Sequence, residues 1–94
     1  MRRLKAIFFS AIEFAHENEF PLLCDRAISQ GANVNMKNYL GQSAIECAIA
    51  RGSLIILRCL FARGAFIPKI NQNEEDILMD AAAKGHADIV EFLI

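Results

Sequence analysis

The chain has 94 residues, 54% hydrophobic and 22% charged, with 10 Lys and Arg against 11 Asp and Glu. That length holds one small domain, and that hydrophobic content excludes intrinsic disorder. A net charge of −1 leaves no dense basic footprint for nucleic-acid phosphates, and apolar runs such as Leu54-Ile55-Ile56-Leu57 fall far short of the roughly 20 residues that span a bilayer.

The first predicted element is a helix. Leu4, Ile7, Phe8, Ala11, Ile12 and Ala15 keep helical spacing, which favours one long helix from about residue 3 to 17 over a helix newly capped at Ser10. The basic start Arg2-Arg3-Leu4-Lys5 resembles a secretory leader, but its apolar stretch ends at Ile12 and no small-x-small cleavage site follows. Pro21 is expected to open a second helix at its first position, with Leu22, Leu23, Ala27 and Ile28 facing the core and Gly31 ending it.

Ser43 and Glu46 then form a capping-box pattern, in which a hydroxyl and a carboxylate three residues apart satisfy orphan backbone donors reciprocally. Behind them Ala44, Ile45, Ala48 and Ile49 make one stripe, and Gly52 stops the helix because glycine takes the left-handed conformation freely. Ser53 is expected to cap a fourth helix. Its residues Ile55, Ile56, Leu57, Cys59, Leu60 and Phe61 cover most of the circumference, so it should lie buried between neighbours, and Gly64 terminates it. A fifth helix is expected to start at Asp76 as a lone cap, worth about 1 kcal/mol, with Ile77, Leu78, Ala81 and Ala82 inside. A sixth carries Ile89, Val90 and Leu93. The chain stops at Phe92-Leu93-Ile94 in mid-pattern, which reads as a cut end.

One offset ties these elements together. Shifted by 33 residues, Ser10-Ala11-Ile12-Glu13-Phe14-Ala15 lies over Ser43-Ala44-Ile45-Glu46-Cys47-Ala48 with five of six positions identical. The same shift sets Gly31-Ala32 on Gly64-Ala65, Ala48 on Ala81 and Gly52 on Gly85. Each unit is therefore a pair of short antiparallel helices followed by a loop, and stacking supplies a core that no unit has alone.

These residues resemble the ankyrin-repeat family. Gly31-Ala32-Asn33-Val34-Asn35 is similar to its GADVN stretch, Gly41-Gln42-Ser43-Ala44-Ile45-Glu46-Cys47-Ala48 stands where G-x-T-P-L-H-x-A would, and Ala81 to Ile94 is close to AAxxGHxEIVxxLL. The resemblance covers residues 10–94 and implies an all-α solenoid, one domain over 1–94 with units of about 1–37, 38–70 and 71–94. The chain also departs from the pattern. TPLH is missing in every unit, Glu19 replaces a helix-ending glycine, Pro68 replaces an asparagine, and Asn71-Gln72-Asn73-Glu74-Glu75 lacks a counterpart of Gly41. The first inter-helix turn and the second finger loop should therefore be irregular.

An enzyme is disfavoured. The only histidines are His16 and His86, a Cys–His dyad would have to join Cys47 of unit two to His86 of unit three, and no glycine-rich phosphate loop, H-E-x-x-H or paired-carboxylate site is present. No cofactor or metal is expected, and the cluster Glu74, Glu75, Asp76 reads as a solvated loop and cap. Cys24, Cys47 and Cys59 have no metal-type spacing and are expected to be reduced, buried thiols in an intracellular, cytoplasmic protein, with the nucleus left open.

The resemblance implies a protein-binding module that contacts its partner through finger loops and the exposed side of the first helices. Carried over by position, these residues are Glu17 and Asn18 in unit one, Lys37, Tyr39, Leu40, Gln42, Ala50 and Arg51 in unit two, and Gln72, Asn73, Glu75, Ala83 and Lys84 in unit three. Tyr39 and Leu40 have no obvious core to enter, and Tyr39 with Arg51 is the expected anchor pair; packing of Tyr39 and Leu40 against an adjacent finger is the alternative. A homo-oligomer joined through the apolar C-terminal end, or a segment of a larger effector, is the further alternative.

Overall fold

The computed structural model describes residues 2–67 and 74–94. Helices α1 (Arg2–Phe14), α2 (Phe20–Ser29), α3 (Ala44–Arg51), α4 (Leu54–Ala62), α5 (Glu74–Ala83) and α6 (Ala87–Leu93) follow one another without a strand among the described residues. They form three hairpins, in which α1 packs on α2, α3 on α4 and α5 on α6; the first helices stack on one another, as do α2 and α4. The expected all-α architecture is thus present.

The 33-residue offset reappears in the backbone hydrogen bonds. Ala32 N donates to Ala27 O at 3.0 Å and Ala65 N to Leu60 O at 3.0 Å; Ser53 N donates to Ala48 O at 3.2 Å and His86 N to Ala81 O at 2.9 Å. Each pair of bonds closes the same helix end one unit later. Gly52, at φ +81°, ends α3 in the left-handed conformation as its position requires.

Small residues set the spacing of the core. Ala44, Ala48 and Ala81 are fully buried, which lets the first helices approach closely, while Ile12, Ile45, Ile49, Leu57 and Leu60 fill the core around them. In unit one Phe8, Phe9 and Phe20 form a ring cluster, with Phe8 edge-on to Phe9 at 5.4 Å and tilted on Phe20 at 6.4 Å. Across the first boundary the Cys24 thiol donates to Cys59, and burial pushes Cys24 up to about 12. Arg63 bridges the same boundary, gripping the Asp25 carboxylate through Nε and through Nη2 at 3.0 Å. Those bonds hold Asp25 below the usual carboxylate range.

Several expectations need correction. α1 runs straight through Ser10, so no cap forms there, but the helix stops at Phe14 and not near 17. Its end is captured early because Asn18 N donates to His16 Nδ1 and Glu19 N to His16 O, closing a turn without glycine. The first turn is irregular, as expected from Glu19. Phe20 precedes Pro21 in the first turn of α2. Leu22 and Leu23 face outward, 75% and 39% exposed, and the unit-one core is instead Phe20, Cys24 and Ala27. Ile55 is also exposed, so α4 is less completely enclosed than its composition implies. Helix α5 starts at Glu74, which puts Asp76 inside the first turn and not at the cap; acidic residues there suit the positive end of the helix dipole. Pro68 and Asn71–Asn73, where the second finger loop is expected to be irregular, lie outside the described residues.

The capping box at Ser43 forms in full. Glu46 N donates to Ser43 Oγ and Ser43 N to Glu46 Oε1, both at 3.2 Å. Ser43→Ala should therefore lower stability by about 1 kcal/mol, whereas Ser10→Ala, at an exposed mid-helix position, should leave it unchanged or slightly raised, as read from urea midpoints.

Candidate partner-binding surface

The finger between the first two units is a tight loop over residues 37–43, closed at its base by an isolated antiparallel bridge between Lys37 and Ser43. Asn38 organises it. Its Oδ1 accepts from Leu40 N and from Gln42 N, both at 2.9 Å, and its Nδ2 donates to Gln42 Oε1 at 3.0 Å. Asn38 N also donates to Gln42 O at 2.9 Å, and Gly41 N to Asn38 O at 3.0 Å. Gly41, at φ +79°, makes the reversal that returns the chain to the cap at Ser43.

This internal network consumes the loop's polar groups and leaves its tip outside. Tyr39 is 74% and Leu40 83% exposed, and neither enters a core. The tip leans toward α1, where Lys5 Nζ sits 5.3 Å from the centre of the Tyr39 ring. Together with Phe9, Ser10 and Glu13 of α1, they border a groove of about 300 Å³. A second furrow of about 270 Å³ runs between α3 and α5, floored by Ile49 and Ile77 and rimmed by Gln42, Glu46, Asp80 and Lys84. Lys84 Nζ donates to Asp80 Oδ2 at 2.9 Å across one helical turn.

The expected contact residues divide by position. Tyr39 and Leu40 share the first groove; Gln42 and Lys84 share the second, with Ala50 beside them. Lys37 is exposed at the finger base, Asn18 is exposed at the α1–α2 turn, Glu17 is half-buried there, and Ala83 is exposed on α5. Arg51 is not grouped with Tyr39. Its Nη1 donates to Ile12 O at 2.8 Å, filling an otherwise unpaired carbonyl at the end of α1 and tying unit two to unit one. Gln72 and Asn73 lie outside the described residues, and of Glu75 only the backbone, in the first turn of α5, is described.

Two residues that sequence reasoning passed over matter here. Asn38 was legible as the start of an N-x-x-G turn, since asparagine side chains close such turns on their own backbone. Asn35 ties adjacent finger bases: its Nδ2 donates to Gly64 O at 3.2 Å and its Oδ1 accepts from Phe66 N at 3.0 Å. In the sequence it stands only as the last residue of the GADVN-like stretch, and with Pro68 in its place one unit later no repeated signal marks the contact.

Cys47 receives a hydrogen bond from Asn38 Nδ2 at 3.6 Å, and burial, with Glu13 and Glu46 nearby, pushes its thiol up to about 11, away from nucleophile character. His86 is drawn elsewhere, its ring lying against Gly52. Among the described residues no three His, Cys, Asp or Glu converge as a metal site.

A family model described as ankyrin repeats (3 copies) matches residues 8–94. The chain is 36% identical over 66 residues to a vapyrin-like protein of Medicago truncatula, which covers 70% of this chain and 14% of that protein. It is 30% identical over 94 residues to the Notch-regulated ankyrin repeat-containing protein of Xenopus laevis, covering all of this chain and 82% of the relative. The human protein of that name is 32% identical over 88 residues, covering 94% of this chain and 77% of the relative. The chain thus spans only a small part of the plant protein and most of the vertebrate ones. No solved structure matches.

Proposed function

The chain belongs to the ankyrin-repeat family, whose repeats are generally protein-interaction modules and typically non-catalytic, and on that premise we propose that it binds a protein partner along its finger and first-helix surface. The observation that carries this reading is the Tyr39–Leu40 tip. A loop whose polar groups are satisfied by Asn38 holds an aromatic and an aliphatic side chain rigidly in water, so a partner that covers them meets little ordering cost. Tyrosine contributes large contact area with a polar end, the profile of an interface anchor. The groove beside α1 accepts the partner's apolar side chain, and the furrow between α3 and α5 offers polar contacts through Gln42, Glu46 and Lys84. Three unpaired buried thiols support an intracellular place of action.

Quantitative affinity capture tests the assignment. A partner held by the wild type is expected to lose about tenfold or more in affinity with Tyr39→Ala/Leu40→Ala, in keeping with two anchors at the centre of a contact. Circular dichroism of that variant should match the wild type, since both side chains lie outside the core. A partner retained equally by both proteins would refute the surface.

A further inference from the structure

The contacts at one repeat boundary can be carried to the next by the 33-residue offset, and both ends of the stack then acquire partners. At the last unit, Ala82 and Val90 hold the places of Ile49 and Leu57, which are buried at 1% and 0% with a further unit stacked beyond them. Here Ala82, Gly85, Val90 and Ile94 instead border an open apolar groove of about 440 Å³. Met79 and Ile94 stand 62% and 90% exposed on this end. At the opposite end Phe14 is 80% and Leu23 39% exposed, although their counterparts Cys47 and Ile56 are buried at 5% and 0% against the preceding unit.

We propose that copies of this chain stack head to tail, the α5–α6 end of one seating on the α1–α2 end of the next and continuing the repeat across the junction. The two faces are complementary in this register. Glu13 stands beside Cys47 at the first boundary; the equivalent pair at the junction is Met79 against Phe14 of the next copy, two exposed apolar side chains covering one another. Arg58 lies 5.9 Å from the Phe92 ring at the second boundary; its equivalent sets Glu91 against Arg26 of the next copy, opposite charges at a position where both are exposed. Glu91 also takes the place of Asp25, whose carboxylate already reaches across a boundary to Arg63. The junction is thus a continuation of the interface that joins the units within one chain. Because the two faces differ, the contact is heterologous and does not close at two copies.

Sedimentation velocity and equilibrium across the micromolar to millimolar range test this. The wild type is expected to rise in mean mass past the dimer. Phe14→Glu blocks one face and Met79→Glu the other, both at exposed positions, and each should weaken association by about tenfold or more while circular dichroism stays unchanged. An equimolar mixture of the two variants retains one intact junction and should form a species of two chains and nothing larger. A wild type that stays monomeric throughout, variants that associate as the wild type does, or a wild type that stops at a dimer which the mixed variants fail to restore would each overturn the proposal.

Discussion

Replacing Phe20 with alanine lowers stability by about 3–5 kcal/mol, while the same truncation at Leu22 changes it by less than about 0.5 kcal/mol. Both residues sit in the first turn of α2, and hydrophobicity alone ranks them together. Phe20 is fully buried, and its ring packs against Phe8, itself 1% exposed, so truncation leaves a cavity that two helix backbones prevent from collapsing. Leu22 projects into water at 75% exposure and has no contact layer to lose. Domains of this size are stable by only about 5–15 kcal/mol, so the first substitution removes a large share of the total. Because each repeat touches only its neighbours, the loss is expected first as fraying of α1 and α2. Urea unfolding followed by circular dichroism, with amide hydrogen exchange to locate the fraying, checks both effects. A Phe20→Ala variant with the wild-type midpoint would show that the ring cluster is not the core of unit one.

The second large effect is expected at Gly52. A methyl group there would sit 2.5 Å from His86 Cε1 and 2.9 Å from both ring nitrogens, in a backbone at φ +81° that L residues rarely adopt. Gly64, at φ +93°, has the same backbone demand but nothing within 4 Å. Gly64→Ala should therefore cost about 1–2 kcal/mol, the strain of the left-handed conformation alone. Gly52→Ala should cost about 2–4 kcal/mol, because the imidazole that joins unit three to unit two must also move. In a His86→Ala background the Gly52→Ala cost is expected to fall to the Gly64 value, a coupling of about 1–2 kcal/mol. Equal costs in both backgrounds would mean that the imidazole does not sit over Gly52 in solution.

Much of this fold is legible in the chain because its signals are local. Ser43 and Glu46 announce a helix start by spacing, Gly52 and Gly64 announce ends by their backbone freedom, and Ala48 recurs as Ala81 where two helices must come close. Where the signals fail, a neighbour has intervened. Ser10 carries the same capping pattern as Ser43, yet α1 is already helical before it, so the hydroxyl has no orphan donors to satisfy. Arg51 carries the signature of an interface anchor, but the unpaired carbonyl of Ile12, 39 residues away, claims it.

By itself the sequence determined the period, the helix pairs and the caps at Ser43 and Ser53, since each depends on residues a few positions apart. Only the tertiary structure decided which of several equally apolar side chains are core. Leu23 and Ile56 hold the same place in successive repeats, yet one is 39% exposed and the other fully buried, because burial belongs to the unit stacked on a face and not to the residue that forms it.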